Sequence, residues 1–223
     1  ALVGPHARYA VGSRGARRYA PGFSPIVGFK DPQAPDLDAL APYCVAGEHL
    51  YCSGWDGAVP AAWQIEIEAT MFLMVWNGAT AAADSCPEAV QLGPQHAAQA
   101  MDLAALTRPG PFGPRTTELG DYFGVFADGR LVAMAGERLQ AGAFREISGV
   151  CTHPDLQGRG LARRLTNLAI RRQLRRNETP FLHVMSSNTG AHRLYQRLGF
   201  ANYGEPVVRV LDLPDVRARL AGA

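Results

Sequence analysis

The segment Gln157-Gly158-Arg159-Gly160-Leu161-Ala162 has the makings of an anion cradle. Glycine lets backbone N–H groups approach a ligand closely, and a helix starting at Gly160 adds the positive end of its dipole. Together these suit a pyrophosphate. A Walker loop is excluded because no Gly-Lys-Ser/Thr follows, and the glycines are spaced wrongly for the GxGxxG of a dinucleotide site. The same residues also suit a plain glycine-rich turn feeding a helix. Arg159, Arg163 and Arg164 stand near enough in sequence to meet phosphate oxygens. Arg171, Arg172, Arg175 and Arg176 extend the basic strip, and they equally suit a solvated helix face. Cys151 offers a thiol just ahead of the cradle, but a cysteine on a central strand more often packs as a small hydrophobe.

The elements that must position these residues are readable from hydropathy patterning. Strands are expected over 121–127 and 131–139, joined by the hairpin signal Asp128-Gly129. A third strand is expected over 144–152, interrupted by Gly149, and glycine inside a strand marks a bulge or a close backbone approach. Residues 160–176 read as a helix with Leu161, Leu165, Leu168 and Ala169 on one face. Its pattern then blurs, because Arg172 falls on that face while Ile170 and Leu174 fall opposite. A buried strand over 180–185, a helix over 189–198 with Asn188 as N-cap, and a last strand over 207–211 follow. Upstream, 94–106 reads as a helix, and the three prolines of 108–114 force a rigid loop. Residues 63–76 alternate as one strand or two, while 1–60 are rich in Gly, Pro and Ala, with a short helix over 36–40. Small residues at 79–90 suggest a boundary between an N-terminal lobe, 1–90, and a domain over 91–223.

The chain has 223 residues, and 47% hydrophobic with 19% charged residues describe a globular protein. A net charge of +2 is too small for a generic nucleic-acid binder, and no aromatic residues interleave the arginines between Arg159 and Arg176. Charge is unevenly spread: residues 1–90 hold 5 basic and 9 acidic side chains, and 91–223 hold 17 and 11. Four cysteines without a CxxC pair argue against a disulfide scaffold or a structural zinc site. No apolar run approaches the ~20 residues that span a bilayer, so a cytoplasmic protein without membrane partners is expected.

In register, these pieces resemble the GNAT superfamily of acyl-CoA-dependent N-acyltransferases. The family signature Q/R-x-x-G-x-G/A is met by Gln157, Gly160 and Ala162, after the run-in Val150-Cys151-Thr152-His153-Pro154-Asp155. Asn188, Ala191, Leu194-Tyr195 and Leu198-Gly199-Phe200 match the closing helix. The resemblance spans about residues 92–211 and leaves 1–90 uncovered. It implies an α/β fold with a mixed, splayed central sheet flanked by helices, here with an extra N-terminal α/β lobe. It implies acetyl-CoA bound by Val150, Cys151 and Thr152 along the strand, by Gln157 to Arg163 at the cradle, and by Asn188. It implies direct transfer to a primary amine of a small molecule or peptide, with no covalent enzyme intermediate. Glu146 is then the general base, its pKa raised in a partly apolar cleft, and His183 the second choice. Tyr195 protonates the departing sulfur. Phe112, Arg115, Thr116, Thr117 and Glu118 fall where the acceptor is recognised. A non-catalytic acyl-CoA sensor is the alternative, and a homodimer face on the N-terminal lobe stays open.

Overall fold

The computed structural model describes residues 1–78 and 86–213; most of the linker expected at 79–90 lies outside them. The chain begins with β1 (Ala10–Gly12), β2 (Ala16–Tyr19), β3 (Val27–Phe29), the short α1 (Leu37–Leu40) and β4 (Leu50–Ser53). The long β5 (Gln64–Trp76) and the brief β6 (Val90–Gln91) follow, then α2 (Ala97–Thr107), β7 (Tyr122–Ala127), β8 (Arg130–Ala141) and β9 (Phe144–Thr152). The remaining elements are α3 (Leu161–Arg175), β10 (Thr179–Met185), α4 (Thr189–Arg197), β11 (Phe200–Gly204) and β12 (Val207–Asp212).

Among the described residues, β1 to β3 form a small antiparallel sheet. The main sheet runs β4-β12-β5-β10-β9-β8-β7-β6, with β11 also paired to β5. All its pairings are antiparallel except that of β9 with β10, which makes the sheet mixed. The sequence boundary at residue 90 is not a boundary in the sheet. β5, from the N-terminal portion, lies between β12 and β10, and β4 pairs with β12. Only the β1–β3 sheet stands apart from the central layer, and its core of Ala16, Val27, Leu37, Leu40 and Trp55 is continuous with Leu211 of β12.

The tight turns form where the residue types demand them. Asp128 and Gly129 both take positive φ, 49° and 76°, and close the β7–β8 hairpin. Asp36 caps α1 by accepting from the Ala39 amide at 3.0 Å, and Asn188 caps α4 by accepting from Ala191 at 3.1 Å.

The blurred face of α3 has a physical reason. The helix lies across several strands, so it serves two cores. Leu165, with Leu161 and Leu168, packs over Val125, Val132 and Ala133. Ile170, with Leu174, packs instead with Met74, Leu182 and Tyr195. Ile170 is fully buried, which is worth roughly 1.5–3 kcal/mol. Arg172 covers the Phe123 ring at 4.8 Å and reaches Asp121 at 3.3 Å, so a charged residue sits on the apolar face by laying its stem along it.

Candidate active site

Two strands part in the middle of the sheet. β9 and β10 are paired in parallel at Thr179↔Phe144, Pro180↔Arg145 and Phe181↔Glu146, and the pairing ends there. Both strands run on, β9 to Thr152 and β10 to Met185. On its β10 side, the backbone of β9 beyond Glu146 therefore has no strand to bond. The bulge expected at Gly149 is present. Gly149 has φ 62°, and the β8 register jumps from Gly136↔Ser148 to Met134↔Cys151, so two residues of β9 oppose one of β8. Its effect on parity is visible. Ile147 and Val150, three apart, both pack in the core beneath α3 and α4, whereas a regular strand would turn one of them away.

The opening forms a groove of about 600 Å³. Val150, Cys151, Thr152, Gln157, Gly158, Gly160, Leu161, Ala162, Arg163, Asn188 and Tyr195 all line it. Arg159, expected among them, is exposed and lies outside the lining. Gly158 and Gly160 hold φ of 78° and 75°, and Gly160 is the N-cap of α3. The glycines serve backbone conformation rather than space, since a Cβ at Gly158 would meet nothing within 4 Å. Gln157 reaches back to the Thr152 carbonyl at 3.5 Å and ties the cradle to the strand end. The Thr152 hydroxyl is buried and finds no hydrogen-bond partner among the described residues. A groove with a free strand edge, an unpaired hydroxyl and a helix N-terminus fits a long ligand with amide groups and a phosphate end.

Arg164 departs from its expected role. Its guanidinium forks onto Glu88 at 2.5 and 2.8 Å. The distal strip is likewise engaged: Arg176 bonds Asp121, Glu178 and the buried Glu137. Tyr195 is 7% exposed and its phenol faces no bonded partner among the described residues; burial, helped by the nearby Cys151, pushes its pKa above the ordinary value. The phenol is thus kept protonated. Burial also pushes the Cys151 thiol up to about 11, which leaves it a packed hydrophobe beside Tyr122 and Met134 rather than a nucleophile.

Glu146 requires a correction. It is 0% exposed. Arg138 grips it through Nε at 2.9 Å and Nη2 at 2.8 Å, and His183 Nδ1 lies 2.8 Å from its Oε1. Burial alone would raise its pKa; the Arg138 charge and the His183 and Arg138 hydrogen bonds outweigh burial and bring it to about 2. A carboxylate held this firmly in its ionised form is a poor proton acceptor. It is instead suited to orienting His183. An ionised carboxylate only accepts, so it selects the tautomer with the proton on Nδ1 and leaves the lone pair on Nε2.

This cluster was hidden in the sequence by distance, and no local signal marks it, since Arg138 and Glu146 each stand beside another charge, Glu137 and Arg145, in their own strands. Arg138 and Leu139 share a second register jump opposite β9, between Glu137↔Ile147 and Gln140↔Arg145. His153 forms a local turn, accepting from the Asp155 amide at 3.3 Å.

The proline loop does not present Arg115 and Glu118 as independent charges. They fork onto each other at 2.8 and 2.7 Å, and Arg115 stacks on Phe23 at 4.4 Å. Thr116 is buried, accepts from the Gly113 amide and bonds Ser24, which also donates to the Pro111 carbonyl. The loop is a clamp on the N-terminal segment. Phe112 packs edge-on against Tyr122.

No helix among the described residues is long and apolar enough to cross a membrane. The sequence model of the FR47-like protein family matches residues 122–210. A mycothiol acetyltransferase of Mycobacterium marinum is 40% identical over 78 residues, a match that spans 24% of that protein. A solved structure from Kribbella flavida, a GCN5-related N-acetyltransferase, shares the fold at TM-score 0.58 and 18% identity, covering 98% of this chain and 95% of that one. A solved structure from Novosphingobium aromaticivorans, assigned to the GNAT acetyltransferases, is 32% identical with TM-score 0.88, covering 96% of this chain and 95% of that one. That identity over nearly the whole of both chains shows that the chain belongs to the GNAT family of acetyltransferases.

Proposed function

We propose that this chain transfers an acetyl group from acetyl-CoA to a primary amine by direct attack within a ternary complex. The observation that carries the reading is the parallel pairing of β9 and β10, which stops at Glu146 and Phe181 while both strands continue. Bound acetyl-CoA would supply a thioester carbonyl and a thiolate leaving group. The free edge of Val150 to Thr152 would hold the pantetheine arm as a surrogate strand, with the Thr152 hydroxyl and Asn188 amide beside it. The N–H groups of Gly158 to Arg163 would face the diphosphate, and Arg163 stands at the same end.

Three proton and charge tasks remain. His183, oriented by Glu146 and Arg138, takes the amine proton at Nε2. A backbone N–H beside the Gly149 bulge polarises the carbonyl. Tyr195, kept protonated by burial, returns a proton to the sulfur. Cys151 takes no part, in keeping with a mechanism that forms no acyl-enzyme.

The test measures free thiol released from acetyl-CoA across a broad amine panel, alongside calorimetric binding of coenzyme A. Gly160→Glu, which puts a Cβ at a left-handed position and a negative charge at the cradle, should abolish binding. Undiminished affinity in that variant moves the diphosphate elsewhere. Tight binding with no turnover on any amine favours an acyl-CoA sensor instead.

A further inference from the structure

The N-terminal segment closes over the sheet near His183 and leaves two cavities there. The inner one, about 70 Å³, has His183 and Arg138 in its wall; apolar side chains including Met71, Pro111, Leu139 and Val208 make up most of the rest. The outer one, about 430 Å³, shares Ile26, Ser53 and Leu139 with the first. The shared walls set the two side by side on a path from His183 toward the exposed Arg14 and Lys30.

The charges along this path are one-sided. Arg14, Arg17 and Lys30 line the outer cavity, and Lys30 is the only lysine in the chain. No Asp or Glu lines either cavity among the described residues. Arg14 and Lys30 are exposed, and Arg17 spends its guanidinium on the Ser13 and Leu2 carbonyls. The three are unmatched by any carboxylate ion pair among the described residues. At the inner end the opposite holds. Arg138 is neutralised by a bidentate Glu146, so the wall presents neither a free cation nor a free anion.

We infer that the two cavities form the acceptor channel, and that it takes a primary amine on an apolar stem with an anionic group, carboxylate or phosphate, at its far end. This assignment rests on the acetyl-transfer reading above. The amine reaches His183 through an apolar neck in which a charged group would lose its hydration without a partner. The distal anion then meets the cationic mouth. A second ammonium at that position would face Arg17 and Lys30 with no carboxylate among the described lining residues. The role of the N-terminal segment follows: it supplies Ile26, Tyr51 and the cationic mouth, and thereby sets acceptor choice.

The experiment compares three amines with one hydrocarbon stem: aminocaproate, hexylamine and hexane diamine. The expected order of kcat/KM is aminocaproate, then hexylamine, then the diamine, with steps of about fivefold that shrink at high salt. Arg17→Glu with Lys30→Glu should invert the ratio of aminocaproate to diamine, a ratio in which any general loss of folding cancels. An aminohexyl phosphate that outruns aminocaproate assigns the distal anion as phosphate; the reverse assigns it as carboxylate. A diamine turned over as well as aminocaproate overturns the inference. So does refusal of all three probes by an enzyme that binds acetyl-CoA and acetylates other amines. Failure to acetylate any amine brings down the acetyl-transfer reading as well, and the two failures are thereby separated.

Discussion

Replacing Glu146 by Gln removes one charge from a buried cluster at nearly constant volume. The carboxylate is fully buried and accepts three hydrogen bonds of 2.8 to 2.9 Å from Arg138 and His183. Its pKa falls from the ordinary 4.5 to about 2, because the Arg138 charge and the hydrogen bonds outweigh the upward push of burial. At ~1.4 kcal/mol per pKa unit, folding favours the ionised form by roughly 3 kcal/mol. A second line of reasoning gives a similar size: stripping one partner from a buried ion pair costs about 3–5 kcal/mol, since the other charge is left alone. Glu146→Gln is therefore expected to lose about 3 kcal/mol in urea denaturation at neutral pH. The sign of the pH dependence follows from the downward shift. The stabilisation is complete above the unfolded value of 4.5 and is lost as pH falls through the folded value near 2. The gap between wild type and variant should narrow across that window. A loss below about 1 kcal/mol at neutral pH, or a gap unchanged on acidification, would refute the account of this cluster.

Three further outcomes bear on the chemistry. His183→Gln should lower kcat by about 10²–10⁴ while leaving calorimetric acetyl-CoA affinity within a few-fold, and a matching loss of affinity would make it a structural residue instead. Tyr195→Phe should lower kcat with little change in thermal midpoint, because the ring keeps its packing in the core and only the hydroxyl is lost; unchanged kcat would remove the proton-donor role. Cys151→Ala should keep turnover within a few-fold at a stability cost of about 1 kcal/mol, and complete inactivation would reopen a covalent route.

The parts of this molecule that could be read from sequence are those whose cause is local. Asp128-Gly129 made a hairpin because two adjacent positive φ values suit those residue types. Gly149 made a bulge, and the glycines of the cradle made a helix entry, for the same kind of reason. Strand β11 was missed because Phe200–Gly204 buries only Phe200, shows no alternation, and exists through pairing with β5, more than a hundred residues earlier. The short β1 to β3 were missed likewise, since three or four residues between glycines and prolines carry too little periodicity.

The same division runs through the site. The groove proposed to hold the cofactor is mostly one contiguous stretch plus a capping asparagine, whose residue types and spacing stand out in the sequence. The proposed acceptor side is assembled from Arg138, Glu146 and His183 on three strands, and from an N-terminal segment that resembled nothing in particular. Glu146 looked like a base when considered alone, because a carboxylate in an apolar cleft resists ionisation. Its neighbours reverse that conclusion. Arg138 lies opposite it because β8 slips register, and His183 lies beside it because β10 is the strand that runs parallel to β9 before parting from it. The slip and the parting act together: one supplies the charge that keeps Glu146 ionised, and the other sets His183 just past the last paired residue, Phe181, against Glu146 and in the wall of the small cavity proposed to admit the amine.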